Sequence, residues 1–95
     1  MTKIRVLVAD DSLFMRAAIR RLLAADARFE VVGEARDGRE AVDKVQALKP
    51  DVCTMDFNMP NLDGAGAVRE IMRLRPTPVV MLSAHTREGA RETFE

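Results

Sequence analysis

The chain has 95 residues, 47% of them hydrophobic and 32% charged, which suffices for one domain with a single core. Lysine plus arginine and aspartate plus glutamate number 15 each, which excludes an overall basic field for nucleic acid or an anionic membrane. A single cysteine, Cys53, excludes a disulfide framework and indicates a reducing compartment. No apolar run approaches the roughly 20 residues of a membrane span and no signal peptide is evident, so we expect a cytoplasmic protein.

Strand-like and helix-like segments alternate along the chain. In order they are a strand at 4–9, a helix from Ser12, a strand at 29–35, a helix through 41–48, a strand at 51–56, a loop at 58–64, a helix around 68–72, a strand at 78–83 and the start of a helix at 86–95. Apart from Arg5, the first strand is aliphatic, as in a strand covered on both faces. Strands alternating with helices predict an α/β fold with a parallel sheet and right-handed crossovers.

The helix from Ser12 is predicted to be amphipathic. Its apolar residues recur at helical spacing, and the basic residues Arg16, Arg20 and Arg21 are assigned to the solvent-facing side. A role of this basic face in binding a partner is the alternative. Cys53 is predicted to pack within its strand, and Asp63 with Gly64 to start the third helix rather than to bind a ligand.

Acidic residues stand where the first and third strands end. Asp10 and Asp11 follow the first strand, and Asp56 ends the third. In parallel α/β sheets, ligands bind outside the carboxyl ends of the strands, so the three carboxylates would meet if these strands are neighbours. Their mutual repulsion would then favour a hard divalent cation such as Mg²⁺ among them. Solvated surface acids are the alternative.

Three motifs carry a family resemblance. VLVADDS, DVCTMDFNMPNLDG and PVVMLSAH resemble the receiver domain of two-component response regulators over the whole chain. The resemblance implies a flavodoxin-like sheet with strand order 2-1-3-4. More narrowly, DVCTMDFNMPNLDG followed by RPTPVVMLSAHTREGARETFE resembles the receiver of chemotaxis protein-glutamate methylesterases.

The resemblance implies a role for each candidate site residue. Asp56 would be the phosphoacceptor, taking a phosphoryl group from a phosphohistidine of a CheA-like sensor histidine kinase. Asp10 and Asp11, together with Asp56, would bind Mg²⁺ or Mn²⁺. Asn58 would offer its backbone carbonyl to the metal, and Ser83 would donate a hydrogen bond to the phosphoryl group and act as the switch residue. No other cofactor is expected.

The sequence departs from a full receiver at its C-terminal end. Receivers carry a fifth strand ending in a lysine and a fifth helix, whereas this sequence ends at Glu95. We therefore expect a single, C-terminally truncated receiver domain at 1–95, with its methylesterase effector domain missing. The sheet edge at 78–83 would be exposed and would favour a dimer.

Other functions stay open from the sequence alone. The chain itself is expected not to be an enzyme, beyond catalysing its own phosphorylation. The alternatives are a receiver of a DNA-binding or stand-alone regulator, an interaction or dimerisation module that is not phosphorylated, and an aspartyl-phosphate phosphatase.

Overall fold

The computed structural model describes residues 2–82, which form a four-stranded parallel sheet with three helices. The elements are β1 (Ile4–Ala9), α1 (Leu13–Ala24), β2 (Phe29–Ala35), α2 (Gly38–Leu48), β3 (Val52–Asp56), α3 (Gly64–Leu74) and β4 (Val79–Leu82). The strand order is β2-β1-β3-β4, which confirms the predicted flavodoxin-like order 2-1-3-4. No helix in this part of the chain is long and apolar enough to cross a membrane.

The core lies on both faces of the central strand β1. Alternate residues of a strand point to opposite faces, so Leu7 packs with Cys53 and Met55 on one side, whereas Val6 and Val8 pack on the other. The first side is covered by α2 and α3, and the second by Ile19 of α1. Because both faces are covered, β1 carries only apolar residues from Val6 to Ala9, and all four are buried.

The register of β1 against β3 sets the positions of the strand ends. Ala9 is the partner of Met55 in this parallel pair, and Met55 is in turn the partner of Met81 in β4. The residues that follow these positions, Asp10 and Asp56, therefore emerge side by side at the carboxyl edge of the sheet.

Each of the three helices begins at this carboxyl edge with a polar cap. The side chains of Ser12, Asp37 and Asp63 accept hydrogen bonds from backbone amides three residues further on, at 3.2, 2.8 and 2.8 Å. Such caps satisfy amides that have no partner inside the helix. The prediction that Asp63 starts a helix is confirmed.

The predicted faces of α1 are partly wrong. The sequence pattern assigns Arg16 to the solvent side, but only 8% of it is exposed, while the apolar Leu22 is 74% exposed. Arg16 lies three residues before Ile19, so both project towards β1 and β2. Arg20 and Arg21 are exposed, as predicted. The predicted fourth helix at 86–95 lies outside the described residues.

Candidate metal site at the carboxyl edge of the sheet

Three carboxylates converge where β1 and β3 end. Asp10, Asp11 and Asp56 each offer an oxygen, and these oxygens all lie within 4.8 Å of one another. Asp10 is buried, Asp56 is half-buried and Asp11 is exposed. The site is therefore open to solvent on the Asp11 side and enclosed by protein on the Asp10 side, and the predicted convergence of these acids agrees with the structure.

Asp10 is fixed by three hydrogen bonds. Its backbone amide donates to the carbonyl of Ala35 at the end of β2, at 2.9 Å. Its Oδ1 accepts from the amide of Ser12 at 2.8 Å, and its backbone carbonyl accepts from Nη1 of Arg16 at 2.8 Å. The residue that carries the most buried carboxylate of the site is thus held through its amide, its carbonyl and its side chain.

The electrostatics of Asp56 reflect its acidic neighbours. Burial raises the pKa of Asp56, and the carboxylates of Asp10 and Asp11 raise it further. Backbone hydrogen bonds of Asn58 and Phe57 act in the opposite direction. The negative charge on Asp56 is therefore disfavoured by the fold, and a cation among the three acids would relieve that cost.

The donor set fits a hard divalent cation. Carboxylate oxygens are preferred by Mg²⁺ and Mn²⁺, and Mg²⁺ is commonly bound through one or two carboxylates while keeping sites for water and phosphate oxygens. Asp10, Asp11 and Asp56 supply such a set from two neighbouring strands, with one open side. Asn58 lies two residues beyond Asp56 on the same edge of the sheet.

The loop after β3 is packed tightly against the end of that strand. The amide of Gly64 donates to the carbonyl of Phe57 at 2.8 Å. A Cβ at Gly64 would lie 2.4 Å from the backbone oxygen of Asp56, which is closer than any real Cβ contact. Only glycine therefore permits α3 to start this close to the carboxylate-bearing residue.

A second contact links the same loop to Asp37, the residue that caps α2. The Nδ2 of Asn61 donates to Oδ2 of Asp37 at 2.7 Å, and Asn61 adopts a left-handed backbone with φ of 68°. The amide of Glu40 and the side chain of Asn61 hold the pKa of Asp37 below its usual range. The segment that contains Asn58 is thus anchored at both of its ends.

The structure brings together three of the five predicted site residues and leaves one undescribed. Asp10, Asp11 and Asp56 form the cluster, Asn58 follows in the anchored loop, and Ser83 lies outside the described residues. Sequence reasoning missed Arg16, which contacts the backbone of Asp10. Its spacing from Ile19 and Leu23 in the apolar stripe of α1 was the available signal.

The fold and the three acids at its carboxyl edge define a class of signalling domain. Residues 6–94 match the model of the response regulator receiver domain, and the chain belongs to that family. Among receivers it is similar to those of chemotaxis methylesterases. It is 60% identical over 91 residues to a protein-glutamate methylesterase/protein-glutamine glutaminase of Symbiobacterium thermophilum, covering 96% of this chain and 25% of that protein.

Solved structures of response regulator domains are also similar to this chain. The response regulator domain of Thermotoga maritima CheB is 51% identical, with a TM-score of 0.87, and the match covers 97% of this chain and 69% of that one. The CheX–CheY–BeF₃–Mg²⁺ complex from Borrelia burgdorferi contains a chain that is 28% identical, with a TM-score of 0.83, covering 98% of this chain and 72% of that one. The chain spans about a quarter of the length of the curated methylesterases it matches.

Proposed function

We propose that this chain is a phosphoacceptor domain in which Asp56 receives a phosphoryl group from a phosphohistidine of a CheA-like sensor histidine kinase. The observation that carries the proposal is the convergence of three carboxylates, from two neighbouring strands, within 4.8 Å. Asp10, Asp11 and Asp56, with the backbone carbonyl of Asn58, would hold Mg²⁺ or Mn²⁺. Ser83, which follows β4 in the sequence, would donate a hydrogen bond to the transferred phosphoryl group.

The proposed chemistry needs few groups. An oxygen of the Asp56 carboxylate attacks phosphorus, the phosphorus–nitrogen bond of the phosphohistidine breaks, and its electron pair returns to the imidazole, which takes up a proton. The products are an aspartyl phosphate and a histidine. Phosphoryl transfer depends mainly on positioning and on charge neutralisation. When bound, Mg²⁺ supplies positive charge to the phosphoryl oxygens.

The surroundings of Asp56 suit the role of nucleophile. The carboxylate is half-buried and lies in the same cluster as the exposed Asp11. A donor from solvent can therefore reach Asp56 more readily than the buried Asp10. The presence of BeF₃ and Mg²⁺ in the Borrelia complex supports the choice of metal.

The relatives suggest what the phosphorylation would regulate. The curated proteins similar to this chain are protein-glutamate methylesterases, of which the chain spans about a quarter. We propose that in the whole protein this single receiver domain, at 1–95, controls a methylesterase domain in the cytoplasm. The chain's own part would be limited to its phosphorylation.

We also propose that the chain forms a dimer through the sheet edge at β4. Within residues 2–82, β4 is the outer strand beside β3, and Val80 and Met81 are 50% and 40% exposed. Exposed apolar residues on an outer strand favour pairing with another chain. Sedimentation of the protein at several concentrations tests this: a single monomeric species throughout would reject it.

A phosphorylation assay tests the main proposal. The protein is incubated with acetyl phosphate and Mg²⁺, and intact mass is measured for the wild type, Asp56→Asn and the control Asp43→Asn, an exposed aspartate on α2. We expect a phosphate-sized gain in the wild type and the control, and no gain in Asp56→Asn or with a chelator. A gain that persists in Asp56→Asn, or no gain in the wild type, would reject the proposal.

A further inference from the structure

Arg16 is a buried cation beside the acid cluster. Only 8% of it is exposed, although arginine is rarely buried without a paired charge. Its Nη1 donates to the backbone carbonyl of Asp10 at 2.8 Å, and its Nε donates to Oε1 of Glu34 at 2.9 Å. The planar guanidinium therefore joins the end of β1 to the end of β2.

The partner of Arg16 on β2 is itself held in place. One carboxylate oxygen of Glu34 accepts a hydrogen bond from Arg16 and the other accepts one from Arg20. The backbone carbonyl of Glu34 accepts a hydrogen bond from Nζ of Lys44. The guanidiniums of Arg20 and Arg16 hold the pKa of Glu34 below its usual range, so its carboxylate stays charged at neutral pH. Glu34 is thus a fixed anchor, next to Ala35, whose carbonyl binds the amide of Asp10.

The contact with Asp10 also orients the residue that follows. The carbonyl of Asp10 and the amide of Asp11 belong to one planar peptide group, so a hydrogen bond that fixes the carbonyl fixes the direction in which the chain enters Asp11. Asp11 is exposed, in contrast to the buried Asp10. The direction of the Asp11 carboxylate therefore depends on the peptide that Arg16 holds.

We propose that Arg16, anchored by Glu34, is a positioning residue that aims the Asp10 and Asp11 carboxylates at the cation site. The inference rests on the proposed function for its metal. Partners that orient the ligands of a metal typically change its affinity by 10–100-fold when they are removed. Coulomb's law alone predicts the opposite sign, because removing a positive charge close to the site should strengthen cation binding. The direction of the change therefore separates positioning from simple electrostatics.

The test measures Mn²⁺ affinity in the intact protein, from the free Mn²⁺ signal in electron paramagnetic resonance. We expect Arg16→Met to weaken binding about tenfold. The matched control Arg21→Met removes a guanidinium from the same helix that is exposed and contacts neither Glu34 nor Asp10 in the described hydrogen bonds. Its affinity should stay within about twofold of the wild type.

A second pair of variants holds the charge constant. Glu34→Gln keeps an oxygen that can accept from Arg16, whereas Glu34→Ala removes it, and both remove the same negative charge. We expect Glu34→Ala to bind Mn²⁺ several-fold more weakly than Glu34→Gln. This pair decides the question if Arg16→Met does not fold, which circular dichroism would show.

The outcomes separate this inference from the proposed function. The inference is overturned if folded Arg16→Met binds Mn²⁺ as tightly as the wild type or more tightly, if Arg21→Met is equally weakened, or if the two Glu34 variants bind equally. The wild type can pass the phosphorylation assay in each of those cases, so the proposed function would survive. Weakened binding in Arg16→Met with a wild type that binds Mn²⁺ but gains no phosphate would instead support the inference and reject the proposed function.

Discussion

Replacing Asp56 with asparagine should stabilise the protein when no divalent cation is present. Burial and the carboxylates of Asp10 and Asp11 raise the pKa of Asp56, so folding disfavours its charged form. A carboxyl group whose pKa is raised in the folded state contributes stability at low pH and loses it as the pH rises through that pKa. At pH 7 the wild type therefore carries an unfavourable charge that Asp56→Asn removes while keeping the side chain's shape.

The size of the effect follows from the distances in the cluster. At 4.8 Å, one pair of unit charges repels by about 0.9 kcal/mol in the dielectric of water. Asp56 has two such neighbours, and salt at about 0.15 M, with a Debye length of about 8 Å, reduces the sum by roughly half. We expect Asp56→Asn to gain about 1 kcal/mol, which for a domain of this size raises the melting temperature by about 4–8 °C.

Urea denaturation followed by far-ultraviolet circular dichroism measures this gain, since the chain has no tryptophan and no tyrosine for fluorescence. Asp43→Asn is the control and should change the stability by less than about 0.5 kcal/mol. The advantage of Asp56→Asn should shrink as the pH is lowered, because the wild-type carboxyl, whose pKa is raised, then takes up its proton, and it should also shrink when Mg²⁺ is added. An unchanged free energy of unfolding at pH 7, or a gain equally large at low pH, would refute mutual repulsion as its cause.

Three further predictions concern the structure around the site. Gly64→Ala should lower the free energy of unfolding by about 1–3 kcal/mol, because its Cβ would clash with the backbone of Asp56. In the control Gly33→Ala the Cβ meets a flexible leucine side chain, so the loss measured in the same urea titration should be smaller. Equal losses in the two variants would contradict this explanation. The hydrogen bonds from the Glu40 amide and the Asn61 side chain hold the pKa of Asp37 low. The free energy of unfolding of the wild type should therefore fall more than that of Asp37→Asn between about pH 5 and pH 3. Parallel curves of stability against pH for the two proteins would contradict this prediction. Cys53 is fully buried and burial raises its pKa to about 12, so iodoacetamide should modify it only after unfolding, as followed by intact mass; rapid labelling of the native protein would disprove the assignment.

Most of the fold could be predicted because strand-like and helix-like segments alternate along the chain. The second strand, at 29–35, has the predicted bounds, and β1 is buried on both faces as its aliphatic sequence indicates. The order of the strands came from family resemblance, because periodicity marks where a strand lies but not which strand it pairs with. The same limit applied to the site: the acids could be placed at strand ends, but their convergence depended on β1 pairing with β3.

Arg16 shows why the rest of the site could not be predicted. Sorting residues by polarity places an arginine on the solvent side, yet its stem can cross an apolar surface while its guanidinium reaches buried acceptors. Those acceptors are a backbone carbonyl and Glu34, which lies on a different element. Neither is visible in the sequence around α1, so only tertiary structure reveals the partner.

The pairing of Ala9 with Met55 has a consequence for substitutions far from the acids. Side chains of a strand alternate between faces, so a shift of β3 by one residue would turn Asp56 away from Asp10 and expose a different set of residues to the core. The core residues Cys53 and Met55 keep β3 in its native alignment by packing against α2 and α3. Substitutions that let this strand slip would separate the three carboxylates while every acidic residue remained in the sequence. The proposed cation site therefore depends on the strand alignment as much as on its carboxylates.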